Sequence, residues 1–231
     1  MKSRTAALGL VAALAAAPAL NAQEVLDGKS ADGLAYTVTL PAGYTAAGPP
    51  APLLLFLHGG DRSNTRHHPA KYAAQSEIGF PFIVLAPHCA GSCGWRTTDF
   101  DGLLEDVVAD HNVDQSRVYL TGYSMGGNGS WDLLSRSPQW FAAAAPIAGW
   151  GDTGAICVAS AVPVRAYHSD DDTVIEYARS VEMVNALKAC PGEAELITLH
   201  GVDHASWVPA FSDPDFYAWL LQHERSASQG R

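Results

Sequence analysis

The fold of this 231-residue chain is best predicted from one segment, Val118-Tyr119-Leu120-Thr121-Gly122-Tyr123-Ser124-Met125-Gly126-Gly127. Its first residues form an apolar run typical of a buried strand, and a helical pattern containing Trp131 and Leu134 follows it. Between them lies the motif G-x-S-x-G. A serine held out on a tight strand-to-helix turn needs strained backbone angles, and side chains two positions before and after it would collide. The segment predicts that Ser124 is a nucleophile at a strand end; a glycine-rich connector with an incidental serine is the alternative.

Apolar runs recur on both sides of this segment, with amphipathic stretches between them. Residues 35–40 alternate at period two as an exposed strand does, and the runs at 53–57, 82–86, 142–147, 162–167 and 196–199 are typical of buried strands. Helical spacing occurs at 101–111 and 175–189, and again at 216–221 after Asp213-Pro214. This alternation predicts an α/β fold: a mostly parallel sheet with helices on both faces and chemistry at the carboxyl ends of the strands.

An acid and a base are the next requirement, because a serine hydroxyl attacks poorly unless a base takes its proton. In this type of fold both follow the serine along the chain, the acid first. Asp170, Asp171 and Asp172 stand between a strand and a helix, where each could instead cap the helix. We predict Asp172 as the acid, with Asp170 as the second choice.

The base is predicted to be His204. It lies a few residues past the last apolar strand, in a loop that precedes the final helix. Among the nine histidines it alone satisfies chain order, loop position and nearness to a strand end. His67 and His68, by contrast, are expected in a polar loop. Because the base must be neutral to act, activity should fall below about pH 6–7.

Acyl transfer also needs N–H donors for the developing negative oxygen. One is predicted from Met125, the first residue after the serine. The other should come from the loop after the first buried strand, His58-Gly59-Gly60-Asp61, where glycine lets the backbone approach the substrate. We select Gly60 as this donor, with Asp61 as the alternative. A simple turn would also explain these glycines.

The charge balance excludes two classes of partner. The chain has 14 Lys and Arg against 24 Asp and Glu, a net charge of −10. Phosphate backbones and anionic membrane surfaces bind clusters of basic residues, and the sequence contains no Lys/Arg run. We therefore expect no nucleic-acid partner.

Residues 1–22 are typical of an export signal. Lys2 and Arg4 give the positive start, an Ala/Leu-rich run follows, and Leu20-Asn21-Ala22 ends on a small residue. The run is shorter and less apolar than a membrane-spanning helix requires, and no basic flank follows it. We predict a signal peptide at 1–22, a single catalytic domain at 23–231, and a secreted or periplasmic protein without a stable membrane anchor.

Four cysteines, Cys89, Cys93, Cys157 and Cys190, lie in the predicted mature chain. An even count in an exported protein favours two disulfides, for which three pairings are possible. Cys89–Cys93 would close a short loop, and Cys157–Cys190 would tie two later elements together. A zinc site is disfavoured because C-x3-C has no second ligand pair. We expect neither a metal nor a cofactor.

Together these segments resemble the α/β-hydrolase superfamily, and within it the secreted carboxylesterase branch described as phospholipase/carboxylesterase and related to feruloyl and polyester-cleaving esterases. The resemblance extends over nearly the whole mature chain. It implies an α/β-hydrolase fold in which Ser124, Asp172 and His204 form a catalytic triad and Met125 and Gly60 supply the oxyanion donors. The chain departs from the family pattern at Ser169, where a glycine is common, and at Asp61-Arg62, where further glycines are often found.

The short interval between Ser124 and Asp172 leaves no room for a large lid, which favours soluble or polymer-linked esters. Tyr123, Trp95 and Trp207 are expected to line an aromatic substrate cleft, although ordinary packing would also explain them. The expected function is that of a secreted serine carboxylic-ester hydrolase that works through an acyl-enzyme on short-chain, aromatic or polymer-linked esters. The alternatives are a serine peptidase of the same fold and a non-catalytic polysaccharide-binding relative.

Overall fold

The computed structural model describes residues 23–89 and 94–225. The predicted signal peptide therefore lies outside the described residues, as does Cys93. The strands are β1 Glu24–Lys29, β2 Ala35–Leu40, β3 Ala51–Leu57, β4 Ile83–Pro87, β5 Val113–Tyr123, β6 Ala143–Ile147, β7 Val164–Ser169 and β8 Ala194–Leu199. The helices are α1 Pro69–Gln75, α2 Phe100–Asp110, α3 Met125–Arg136, α4 Ala178–Ala189, α5 Trp207–Ser212 and α6 Pro214–Leu220.

The described strands form one eight-stranded sheet in the order β1-β2-β4-β3-β5-β6-β7-β8. Strands β4, β3, β5, β6, β7 and β8 pair in parallel, whereas β1 and β2 are antiparallel additions at one edge. The predicted α/β-hydrolase architecture with a mostly parallel sheet is confirmed. Strand β1, together with the short helices α1 and α5, was not predicted.

Helices cover both faces of the sheet, as the sequence predicts. Alternate residues of β3 point to opposite sides: Leu53 and Leu55 pack into the core shared with α2, α3 and α4, while Leu54 and Phe56 pack with α1, α5 and α6. Because every residue of β3 is buried, its sequence is a continuous apolar run rather than an alternating one.

Helix starts follow the local sequence. The Asp99 side chain accepts a hydrogen bond from the backbone N–H of Gly102 at the start of α2. Asp213 does the same for Asp215 at the start of α6, where Pro214 occupies the first position. None of the described helices is long and apolar enough to cross a membrane.

One disulfide is fully described. Cys157 lies in the 3-10 turn Ile156–Ala159 and is bonded to Cys190, which directly follows α4. Cys89 is also disulfide-bonded, and the partner predicted for it, Cys93, is outside the described residues.

His67 and His68 lie in a loop before α1, as the sequence predicts, but the His67 ring is buried. His67 is only 3% exposed, with its ring centroid 5.0 Å from that of Tyr123 and 4.3 Å from that of Trp207. His68 is half-buried and immediately precedes α1. The His67 ring packs against Trp207 of α5, and the His68 ring lies against Phe56 of β3 with centroids 5.9 Å apart.

Candidate active site

The turn at Ser124 joins β5 to α3 and is sterically crowded. Ser124 has φ 55° and ψ −114°, a conformation that is unfavourable for a residue with a side chain. A Cβ on Gly122 would lie 2.3 Å from the carbonyl oxygen of Gly126, and one on Gly126 would lie 1.8 Å from that of Leu57. The two glycines of G-x-S-x-G are therefore required by the backbone that raises the serine above the sheet edge.

The structure brings the three predicted triad residues together. The Ser124 hydroxyl lies 2.9 Å from Nε2 of His204, and Nδ1 of His204 lies 2.7 Å from Oδ2 of Asp172. Because a carboxylate only accepts hydrogen bonds, Nδ1 carries the proton and Nε2 is free to accept the serine proton. The His204 side chain is 18% exposed and that of Asp172 is fully buried, so solvent reaches His204 but not Asp172.

Four N–H groups hold the Asp172 carboxylate. Its Oδ1 accepts from the backbone N–H of Val174 at 2.8 Å and of Ile175 at 2.9 Å. Its Oδ2 accepts from His204 and from Nε2 of His168, the latter at 3.1 Å. Burial alone would raise the pKa of Asp172, but the hydrogen bonds from His204, Ile175 and Val174 outweigh it, so that the pKa lies below its ordinary value.

The other two aspartates of this loop have different partners. Asp170 contacts Nδ1 of His200 at 2.8 Å on the surface, and Asp171 accepts from the Ser169 hydroxyl and from the backbone N–H of Asp203. Ser169, the residue at which the chain departs from the family pattern, thus helps to fix the loop.

Contacts from two directions hold the loop that carries His204. The Tyr123 hydroxyl donates to the carbonyl oxygen of His204 at 2.9 Å, and burial raises the pKa of Tyr123 above its ordinary value. The Asp203 carboxylate accepts from both the backbone N–H and the hydroxyl of Thr173, each at 2.8 Å. The base loop is therefore tied to the serine turn and to the acid loop.

The predicted oxyanion donors lie in two different segments, one directly after the serine and the other in the loop after β3. Met125 begins α3, where the first N–H groups of a helix have no partner within the helix. Gly60 follows β3 in an exposed loop, and a Cβ there would meet nothing within 4 Å. The space beside Gly60 is open to a substrate.

His58 holds the loop before Gly60, a role that the sequence did not reveal. Its ring is fully buried, and Nε2 accepts from the backbone N–H of Cys89 at 3.0 Å. The proton must then be on Nδ1, which donates to the carbonyl oxygen of Gly59 at 2.8 Å. Burial lowers the pKa of His58 and keeps the ring neutral.

The predicted aromatic cleft needs correction. Trp95 is 2% exposed, donates from Nε1 to the carbonyl oxygen of His58, and packs against Gly129 of α3. Its ring is therefore enclosed by the core and does not face an open cleft. Tyr123 is 5% exposed and acts chiefly on the base loop. Trp207 is half-buried beside it, with ring centroids 4.4 Å apart.

Within residues 23–89 and 94–225 there is no group of three or more His, Cys, Asp or Glu side chains placed to hold a metal ion.

Comparison with known proteins identifies related sequences. A family described as phospholipase/carboxylesterase matches residues 97–215, more than half of the chain and the part that contains Ser124, Asp172 and His204. The chain is 31% identical over 168 residues to a bifunctional acetylxylan esterase/xylanase of Neocallimastix patriciarum, covering 65% of this chain and 24% of that protein. It is 28% identical over 163 residues to a probable feruloyl esterase C of Aspergillus niger, covering 66% of this chain and 60% of that protein. The chain thus spans a quarter to three-fifths of the length of these relatives.

Solved structures give the same fold. A thermostable esterase superimposes with a TM-score of 0.73 at 26% identity, covering 88% of this chain and 63% of that one. A feruloyl esterase module from Clostridium thermocellum superimposes with a TM-score of 0.68 at 18% identity, covering 87% and 92% of the two chains; at that identity the likeness concerns the fold. With the sheet order, the serine turn and the family match, these comparisons show that the chain belongs to the phospholipase/carboxylesterase family of α/β-hydrolases.

Proposed function

We propose that this protein is an exported carboxylic-ester hydrolase that works through an acyl-enzyme on Ser124. One observation carries the proposal: Nε2 of His204 lies 2.9 Å from the Ser124 hydroxyl while Nδ1 of the same ring lies 2.7 Å from Asp172. A serine, a base within hydrogen-bond reach and an acid that orients the base are the arrangement that nucleophilic acyl transfer requires.

In the first step Oγ of Ser124 attacks the ester carbonyl carbon, and its proton moves to Nε2 of His204. The C–O bond to the leaving alcohol then breaks, and the same proton passes from Nε2 to the alcohol oxygen. Water next attacks the acyl-enzyme while His204 takes a proton from it. When the bond from the carbonyl carbon to Oγ breaks, that proton returns to the serine and the carboxylic acid leaves.

The negative oxygen formed in both steps needs fixed donors. We assign this role to the backbone N–H groups of Met125 and Gly60, with Asp61 as the alternative to Gly60. The hydrogen bonds that hold His58 in place support this assignment, because a donor is effective when it does not have to reorganise as charge develops.

The ester is best sought among short-chain, aromatic and polymer-linked substrates. The chain between Ser124 and Asp172 consists of α3, β6, β7 and the turns that join them, and contains no inserted lid domain. Half-buried Trp207, beside the base loop, offers an aromatic surface to a bound group. The relatives named acetylxylan esterase and feruloyl esterase favour acetyl and feruloyl esters on a polysaccharide.

Export is part of the proposal. The disulfide between Cys157 and Cys190 suits an oxidising compartment, and residues 1–22 have the pattern of a signal peptide.

The experiment compares wild type, Ser124→Ala and Ser135→Ala. Ser135 is a control on α3, the helix that follows Ser124, where its hydroxyl donates to the carbonyl oxygen of Trp131. Each protein is treated with a fluorophosphonate and assayed with acetyl, butyryl and feruloyl esters, a polyester and a peptide amide. We expect stoichiometric labelling and ester hydrolysis by wild type and Ser135→Ala, and neither by Ser124→Ala.

Faster cleavage of the peptide amide than of any ester would favour the peptidase alternative. Folded wild type that neither reacts with the fluorophosphonate nor cleaves an ester would refute the proposal and favour the polysaccharide-binding alternative.

A further inference from the structure

A second histidine contacts the acid of the proposed triad. His168 is in β7 with a fully buried side chain. Its Nε2 lies 3.1 Å from Oδ2 of Asp172 and 3.1 Å from the carbonyl oxygen of Ile175. Both neighbours are acceptors in the ionised state of Asp172, so Nε2 must carry a proton. The oxygen that His168 binds is the same Oδ2 that binds His204.

The other ring nitrogen of His168 faces a hydroxyl. Nδ1 lies 2.8 Å from Oγ of Ser180, the third residue of α4, and that Oγ lies 3.0 Å from the carbonyl oxygen of Gly149. The hydroxyl has one hydrogen. If it points to Nδ1, His168 is neutral; if it points to Gly149, Nδ1 must carry a second proton and His168 is a cation.

The surroundings of the ring select the neutral form. Burial lowers the pKa of His168, and this outweighs the opposite effect of the Asp172 carboxylate, while the nearby ring of His204 disfavours a second positive charge. The Tyr177 ring, which precedes α4, is the third titratable group against it, with centroids 5.7 Å apart. Ser180 therefore donates to Nδ1, which leaves the proton of His168 on Nε2.

We infer that His168 is a positioning residue of the active site: its neutral Nε2–H, fixed by Ser180, holds Oδ2 of Asp172 in the orientation that His204 needs. This inference rests on the proposed function. A neutral donor suits this position because His204 becomes a cation when it takes the serine proton. A charged His168 bound to the same oxygen would repel that cation. A neutral His168 holds the carboxylate by a hydrogen bond and leaves its negative charge to stabilise the His204 cation.

The first experiment compares His168→Leu with His168→Gln. Leucine fills the space without a donor, and the glutamine amide can donate near the position of Nε2. We expect His168→Leu to lower kcat by about tenfold to a hundredfold with KM changed less than about threefold, the effect of losing one hydrogen bond to a charged group. His168→Gln should recover most of the activity. Wild-type kcat in His168→Leu, or equal losses in both variants, would overturn the inference.

The pH profile separates positioning from a general loosening of the fold. Without the His168 donor, Oδ2 presents more negative charge to His204, so the acid limb of kcat/KM should move to higher pH in His168→Leu and much less in His168→Gln. A purely structural role would weaken the contact between Asp172 and His204. It would leave the limb in place or move it to lower pH, and this result would refute the inference.

A measurement on the folded wild type does not depend on any variant's activity. In NMR spectra of protein labelled with ¹⁵N in its histidines, the ring signals of His168 at pH 7 should show a protonated Nε2 and a bare Nδ1. These signals are identified by their loss in His168→Gln. A bare Nε2, or protons on both nitrogens, would overturn the assignment even if His168→Leu did not fold. Failure of the proposed function would be seen separately, as wild type that shows this signal but neither cleaves esters nor reacts with the fluorophosphonate.

Discussion

The hydroxyl of Tyr123 donates a hydrogen bond to the main-chain carbonyl of His204, and the two oxygens are 2.9 Å apart. Tyr123 directly precedes Ser124, so one side chain connects the serine turn to the loop that carries His204. Their rings are also in contact, tilted by 45° with centroids 5.0 Å apart. The position of His204 is thus fixed in part by a residue of the serine turn itself.

Removal of this hydroxyl should loosen the base. We expect Tyr123→Phe to reduce kcat by about threefold to tenfold, the effect of one neutral hydrogen bond, with little change in KM. Tyr44→Phe is the matched control, because its hydroxyl also binds the main chain, at the N–H of Asn112, which precedes β5 at the end of that strand opposite to the serine turn. Equal kcat values for the two variants would contradict the proposed link.

Asp172→Asn tests the acid. The amide oxygen would accept from the N–H groups of Val174 and Ile175. The amide NH₂ group would then face the ring N–H groups of His204 and His168, and two donors cannot bond to each other. His204 would then adopt the wrong tautomer, so we expect kcat to fall by about 10⁴-fold, as in other triads.

Asp170→Asn is its control, since that carboxylate lies on the surface beside His200. Its kcat should remain near the wild-type value. A large loss of kcat in Asp170→Asn with little loss in Asp172→Asn would reverse the assignment of the acid.

Gly60 can matter for activity because of its N–H group or because of its small size, and Gly60→Pro and Gly60→Ala distinguish these two reasons. Alanine keeps the N–H and meets no atom within 4 Å, so activity should change by only a few fold. Proline removes the donor, and we expect a loss of about 10²–10³ in kcat. Near-normal activity of a folded Gly60→Pro would move the role to Asp61, for which Asp61→Pro is the corresponding test.

The disulfide should stabilise the fold without taking part in chemistry. Cys157 and Cys190 are separated by 33 positions, and opening a loop of that size costs about 3–4 kcal/mol of unfolding free energy. Because the bond lies at the carboxyl end of α4 while Ser180 is near its amino end, Cys157→Ser/Cys190→Ser should keep wild-type kcat at 25 °C. Urea unfolding of the variant and of oxidised wild type measures the difference, and equal midpoints would contradict the prediction.

Stability should decrease on mild acidification. Burial lowers the pKa of His68 from 6.5 to about 4. Between those pH values the unfolded chain binds a proton that the folded chain does not, so the unfolding free energy falls as the pH falls. For His68 alone this amounts to at most about 3 kcal/mol.

His58, His67 and His168 have pKa values lowered in the same direction by burial, so they add to this loss. Urea unfolding at pH 7 and pH 5 measures it. His68→Phe should show a smaller difference between the two pH values than wild type, and an unchanged difference would rule out His68 as a contributor.

Structural features are easiest to predict from the sequence where backbone sterics or complete burial restrict the residue type. Gly122 and Gly126 are recognisable because no side chain fits at either position, and β3 is recognisable because both of its faces are covered. By contrast, α1 and α5 have seven and six residues, too few for helical periodicity to stand out.

Contacts between distant segments could not be derived from the sequence. Asp170, Asp171 and Asp172 have the same local pattern, and only the distance to His204 distinguishes them. The burial of Trp95 cannot be read from its own neighbours in the sequence, because the space for its ring is provided by Gly129, which belongs to another helix. His168 has a polar role inside the protein that depends on Ser180, twelve residues later.

The contact between Gly126 and the carbonyl oxygen of Leu57 has a consequence for protein engineering. With no space for even one methyl group beneath the nucleophile, α3 cannot be shifted to accommodate a bulkier substrate. A designer who wants a different specificity therefore has to alter the connections that follow β3 and β6 and keep the serine turn as it is.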